Sequence, residues 1–224
     1  MALSCITSMA PRQCVSALAR SWDEGTVQVE AIGGVDAAAR IAAGWPGDVA
    51  VLALDALQAL AEAGHVLPRT LAEIAASDTV AAVRDGAPLP LLDTREALVR
   101  SLRAARAIGY STGPSGKAFL ALLDTLGVGT ELAPRLVQAR PGQPVGALVA
   151  DGTVDLGVQQ HSELVGLPGV VIVSALPPGA EISTVFAAAV VAASRQPQAA
   201  RRFIGHLRSP AAAAAIEAAG MRPA

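Results

Sequence analysis

Three short stretches place hydroxyls or glycines directly ahead of a helical pattern: Thr7-Ser8, Gly33-Gly34, and Ser111 to Lys117. The chemistry they share is anion binding. A helix N-terminus presents N–H groups without intrahelical partners and a partial positive charge, and glycine lets backbone approach a ligand closely. The third stretch is the richest. Within it Gly113-Pro114-Ser115-Gly116 opens a helix, Ser111 and Ser115 offer hydroxyls, and Lys117 adds a charge. It is not a nucleotide loop, because G-x-x-x-x-G-K-[ST] needs a hydroxyl after the lysine and Ala118 stands there. The competing reading of these hydroxyls is ordinary helix capping by Ser or Thr.

A fourth stretch, Gly157-Val158-Gln159-Gln160-His161-Ser162-Glu163, gathers polar groups in a loop after a strand. His161 and Glu163 have the right types for proton transfer. The plainer reading is a structural loop histidine, and His65 and His206 read as surface residues at helix ends. No Ser/His/Asp set, His/Cys cluster or spaced carboxylate pair stands out, so hydrolase and metalloenzyme readings lack support and neither metal nor cofactor is expected. Cys5 and Cys14 have no metal or redox spacing. They read as two buried free thiols, with pairing left open.

The elements that must position these groups follow from pattern. Leu3 to Thr7, Val27 to Ile32 and Asp48 to Leu54 read as strands. Helices follow each, over Pro11 to Ser21, Asp36 to Ala43 and Asp55 to Ala63. Three β-then-α units in succession argue for a doubly wound α/β sheet. Further strands are expected at Thr79 to Arg84, Ala107 to Tyr110, Val137 to Ala139, Leu156 to Gln159 and Val170 to Ser174, and Thr184 to Ala193 is apolar throughout. Helices are expected at Thr94 to Ala104, Lys117 to Leu126, Pro144 to Asp151, Pro197 to Leu207 and Pro210 to Ala219. Two α/β lobes with crossing strands near 79–84 and 180–190 fit this order better than one sheet. The expected division is residues 1–79 with 185–224, and residues 80–184.

Composition narrows the classes. Of 224 residues, 52% are hydrophobic and only 16% charged, which raises the question of a membrane protein. Much of the apolarity is alanine, however, and no window reaches the roughly 18 to 20 uninterrupted apolar residues of a spanning helix. The best window, Val170 to Ala193, is broken by Pro177, Pro178, Gly179 and Glu181. Membrane insertion is therefore not expected. With 17 Lys and Arg against 19 Asp and Glu, and no basic run, nucleic acid is not an expected partner. Met1 to Ala10 carries no basic residue and an interrupted apolar run, unlike a secretory signal. The expectation is a cytoplasmic protein as written, or a periplasmic one if this is a mature form whose leader has been removed.

The chain resembles the type 2 periplasmic solute-binding proteins, and specifically their molybdate-binding-like branch. The resemblance rests on Gly44-Trp45-Pro46-Gly47-Asp48-Val49, Gly113-Pro114-Ser115-Gly116, Val149 to Val158, Leu176-Pro177-Pro178 and the ending Ala200 to Met221. It implies two lobes, two crossover strands, and an oxyanion held in the cleft by helix N-termini without a metal. By position it implies Ser8 as the first hydroxyl ligand, with Thr7 beside it. Ser115 matches a backbone ligand, and Gln159 falls near another. Two positions depart from the pattern. Gly34 stands where molybdate-binding members have a second serine, and Thr184 where they have a tyrosine. An organic carboxylate thus becomes more plausible than molybdate or tungstate.

The ligand set expected on these grounds is Thr7, Ser8, Gly34, Ser111, Ser115, Gly116, Lys117, Gln159 and Thr184, around a small anion. If the chain is exported, an ABC permease is the expected partner. The segment Gly157 to Leu164 also resembles the sub-branch that includes aconitate isomerase. That resemblance implies an alternative, a cofactor-free allylic proton shift on an unsaturated polycarboxylate. His161 or Glu163 would then move the proton, while Lys117 and Arg84 neutralise carboxylates.

Overall fold

The computed structural model describes residues 2–140 and 142–224. In chain order its first elements are β1 (Ala2–Thr7), α1 (Arg12–Arg20), β2 (Thr26–Ala31), α2 (Gly34–Ala42), β3 (Val49–Ala53) and α3 (Leu54–Glu62). Next come β4 (Ala72–Arg84), α4 (Arg95–Ala104), β5 (Ile108–Tyr110), α5 (Pro114–Thr125) and α6 (Gly129–Leu132). They are followed by β6 (Leu136–Gln138), α7 (Val145–Ala150), β7 (Leu156–Gln160), α8 (His161–Leu164) and β8 (Val170–Ala175). The chain closes with β9 (Ser183–Val190), α9 (Pro197–Leu207), α10 (Ala213–Ala218) and β10 (Arg222–Pro223). It divides into two compact units, Met1–Ser77 with Val185–Ala224, and Asp78–Thr184. The chain leaves the first unit within β4 and returns to it within β9.

In the first unit β1 runs parallel to β2 and β3, and β9 lies antiparallel to β3. The strand period of two sorts their side chains onto two covered faces. Leu3, Cys5, Val49, Val51, Phe186 and Ala188 pack under α1, α9 and α10. Ile6, Ala50, Leu52, Ala187 and Ala189 pack under α2 and α3. A sheet covered on both faces needs near-continuous apolar strands, which is where much of the alanine and valine goes.

In the second unit β5 is parallel to β6 and β7, while β7 and β8 flank β4, both antiparallel to it. One face carries Ala81, Val83, Leu156 and Val158 against Leu98 and Leu102 of α4 and Phe119 and Leu123 of α5. On the opposite face two glycines, Gly109 and Gly157, are register partners. A Cβ on either would stand within about 3 Å of Val145, and on Gly157 also 2.5 Å from Val149. The glycine pair therefore lets α7 seat directly on the sheet.

Some elements differ from the sequence pattern. β4 starts at Ala72, seven residues before the expected Thr79: Ala72 to Asp78 has weak strand propensity, but β9 neighbours β4 in the sheet and β10 pairs with Ala75 and Ala76. The stretch Pro210 to Ala219 is a 3-10 turn over Pro210–Ala212 followed by α10, not one helix. His206 is half-buried rather than a surface residue. Its ring stacks on Phe203 and tilts against Trp22, and its Nε2 donates to the Leu18 carbonyl at 3.0 Å. Among the described residues no helix is long and apolar enough to cross a membrane.

Candidate functional site

In the first unit the carboxyl ends of β1 and β2 bring Thr7-Ser8 and Gly33-Gly34 together. The Ser8 N–H donates to the Val51 carbonyl at 3.0 Å, and the Ile32 N–H to the Thr7 carbonyl at 3.1 Å. These bonds carry the sheet register one step into the loops. Thr7 is fully buried and its hydroxyl donates to the Ser8 carbonyl. The Ser8 hydroxyl is buried too, yet it has no hydrogen-bond partner. Gly34 opens α2 beside it, and a Cβ on Gly34 would stand 3.5 Å from the Ser8 Cβ.

In the second unit β5 ends at Tyr110, and the loop turns through Ser111 to Gly113 into α5. Capping by a Ser or Thr side chain is not what holds this turn. The N-cap is Gly113, and no side chain caps the helix. Instead the buried Ser111 and Ser115 hydroxyls hydrogen-bond each other at 3.1 Å, and the Gly113 N–H donates to Ser111 Oγ. Pro114 occupies the first helical position, where its missing N–H is harmless. Gly116 has a packing reason. A Cβ there would stand 1.8 Å from the Ser111 carbonyl oxygen, so only glycine lets α5 pass so close to the loop. Lys117 lies on the first turn of α5 and is exposed.

The segment after β7 is not a loop. His161 opens the short helix α8, half-buried. Gln159 spends its side chain on structure: its Oε1 accepts from the Val145 N–H that opens α7, at 2.9 Å, and its Nε2 donates to Glu163 Oε2 at 2.7 Å. Thr184 is half-buried on β9. Arg84 is distant from these groups. It pairs with Val170 at the far end of β4, roughly 16 Å along the strand from Thr79 at about 3.3 Å per residue, by the amino end of β7.

Pattern reading missed two residues of this region. Thr79 on β4 and Gln160 on β7 are register partners, and both are at most 2% exposed. Thr79 Oγ1 and Gln160 Nε2 have no hydrogen-bond partner, and with Ser8 Oγ they are the only such buried side-chain atoms among the described residues. Apart from Gln160's place in the polar stretch after β7, nothing in sequence marked them. Cys5 and Cys14 are free and buried, and burial pushes their thiols up to about 12 and about 11. Among the described residues no cluster of His, Cys, Asp and Glu could hold a metal ion.

Two α/β units joined by two crossing strands, with hydroxyls and helix N-termini at the carboxyl ends of their parallel strands, define a type 2 periplasmic binding protein. The chain belongs to the bacterial extracellular solute-binding protein family, whose model matches residues 4–222. It is 36% identical over 193 residues to an aconitate isomerase from Pseudomonas sp, covering 82% of this chain and 70% of that protein. Its fold is similar to the periplasmic molybdate-binding protein of Azotobacter vinelandii, with a TM-score of 0.82, 23% identity and 98% of each chain covered. It is also similar to the sulfate-binding protein of Mycobacterium tuberculosis. There the TM-score is 0.81 and the identity 20%, over 100% of this chain and 87% of that one.

Proposed function

We propose that this chain binds a small anion, an organic carboxylate or an oxyanion, through hydroxyls and helix N-terminal N–H groups. The ligand set is Ser8 with Thr7 and Gly34 in the first unit. In the second it is Ser111, Ser115, Gly116, Lys117, the backbone at Gln159, and Thr184. One observation carries the reading: Ser8 Oγ is buried without a partner at the carboxyl end of β1. Native proteins seldom leave such a group unpaired, and an anion's oxygen would pair it. Where the chain is exported, an ABC permease is the partner that receives the loaded protein.

Isothermal titration against molybdate, sulfate and a panel of carboxylates tests the reading. Saturable binding of at least one anion, weakened about tenfold in Ser8→Ala, is the expected result. No heat and no thermal shift with any of them overturns it.

The 36% identity to an aconitate isomerase favours a second reading, in which binding is followed by isomerisation of an unsaturated polycarboxylate. A base removes a proton from an allylic carbon, the double bond migrates, and a proton returns to the far carbon. His161 or Glu163 would carry the proton and Lys117 would neutralise a carboxylate. Proton NMR of cis-aconitate in D2O follows both exchange and double-bond migration. Turnover by the wild type that falls in His161→Ala and Lys117→Ala supports this reading, and a wild type without turnover ends it.

A further inference from the structure

Thr79 and Gln160 face each other across the antiparallel β4–β7 pairing, so their side chains share one face of the sheet. The residues two and four steps along that face, Ala81 and Val83 on β4 and Val158 and Leu156 on β7, pack against Phe119 and Leu123 of α5. Thr79 and Gln160 are therefore the last rung under α5, at the carboxyl end of β7, where the helix begins. At 1% and 2% exposure they are as deep as the apolar residues beside them. Yet Thr79 Oγ1 and Gln160 Nε2 have no partner. An apolar pair would serve packing better at this position, because each unpaired polar group keeps its desolvation penalty.

We propose that Thr79 and Gln160 form a specificity-determining donor pair for a carboxylate of the ligand, which makes that ligand a di- or tricarboxylate. This rests on the anion-binding reading above and deepens it. A threonine hydroxyl and a glutamine amide N–H on neighbouring strands present two uncharged donors side by side, matched to the two oxygens of a planar carboxylate. The N–H groups at the start of α5 are a separate donor set on a different element, suited to another acidic group. Two donor sets in one unit call for two acceptor groups on the ligand.

The test is isothermal titration of wild type, Thr79→Val and Gln160→Leu with cis-aconitate, citrate, succinate, acetate, sulfate and molybdate. Both substitutions keep approximate shape and remove the donor. The wild type is expected to prefer a di- or tricarboxylate, and each variant to bind it about tenfold or more weakly. Melting temperatures are expected to be unchanged or raised, since an unpaired buried group has been removed. A lowered melting temperature in both variants would show that the two groups serve the fold, and would overturn the inference. Variants that bind the polycarboxylate as tightly as the wild type would overturn it too, as would a wild type that prefers sulfate or molybdate. In those cases the anion-binding reading survives. A wild type that binds none of the six removes both.

Discussion

The carbonyl oxygen of Ser111 lies 1.8 Å from the point where a Cβ on Gly116 would stand, and its carbonyl carbon 2.7 Å away. The first turn of α5 is thus packed against the loop that precedes it, backbone against backbone. Gly116→Ala must push the helix away from Ser111 or distort the turn. The expected destabilisation is about 1–3 kcal/mol or more, with a loss of anion affinity as the helix start moves. Gly113→Ala is the control, because its Cβ would meet nothing nearer than Ser111 Oγ at 3.7 Å. Urea unfolding reads both, and equal midpoints for the two variants would contradict the packing account.

Gly34 offers the opposite case. A Cβ there makes ordinary contact with Ser8 at 3.5 Å, and Gly34 is not among the glycines with positive φ. Gly34→Ser should fold normally and set a second hydroxyl beside Ser8. One added hydrogen bond to a charged ligand is worth about 1.5–3 kcal/mol, or roughly tenfold or more in affinity. The gain is expected for tetrahedral oxyanions relative to carboxylates. A titration in which sulfate and molybdate gain nothing would count against Ser8 as a ligand.

Asp48, from the Gly44 to Val49 motif, is a structural clip. Its buried carboxylate accepts the Ser4 N–H at 3.0 Å and the Ser194 hydroxyl at 2.6 Å, tying β1 to the segment after β9. It stands at the amino end of β3, opposite the strand ends that carry Ser8. Asp48→Ala leaves the Ser4 N–H unpaired and should cost about 1–3 kcal/mol in stability. Ligand affinity at a temperature where the variant is folded should not change; a large drop would assign Asp48 a part in binding.

The two thiols set an alkaline limit. Burial raises Cys5 to about 12 and Cys14 to about 11 from the ordinary 9.0. The folded state therefore keeps its thiol protons where the unfolded chain has lost them. Their contribution to stability is complete below pH 9 and falls as pH rises through 11 and 12. Denaturation midpoints should drop across that window, and less so in a Cys5→Ala, Cys14→Ala double variant. At neutral pH a thiol reagent should label neither cysteine until denaturant is added. Rapid labelling of the native protein would show that the burial is not maintained.

Much of the fold was legible because its signals are local. Apolar runs bounded by glycine marked β3 and its helix, and the β-then-α rhythm implied parallel strands under helices. Hydroxyls placed near helix starts likewise drew attention to Ser8, Ser111 and Ser115; Ser8 and Ser111 follow β1 and β5, and Ser115 lies on the first turn of α5. Where local signals were weak the reading fell short. Ala72 to Asp78 looks indifferent in isolation, and becomes strand because distant strands, β9 and the short β10, supply its neighbours in the sheet. His206, polar and near a helix end, is drawn against Trp22 and the Leu18 carbonyl by the docking of α9 beside α1.

By itself, then, the sequence determined the class of element at most positions and the kind of donors available: many N–H groups and hydroxyls, few charges, and no metal-binding pattern. Tertiary structure decided which of them meet. Register between β4 and β7 sets Thr79 against Gln160, while the length of β4 carries Arg84 to its far end. Gln159 and Gln160 are neighbours in sequence, but the strand's alternation sends one to hold α7 and Glu163 and the other under α5. Such outcomes depend on pairing between segments far apart in the chain. A one-residue change of register would turn the β7 side chains to the opposite faces and exchange the places of Gln159 and Gln160.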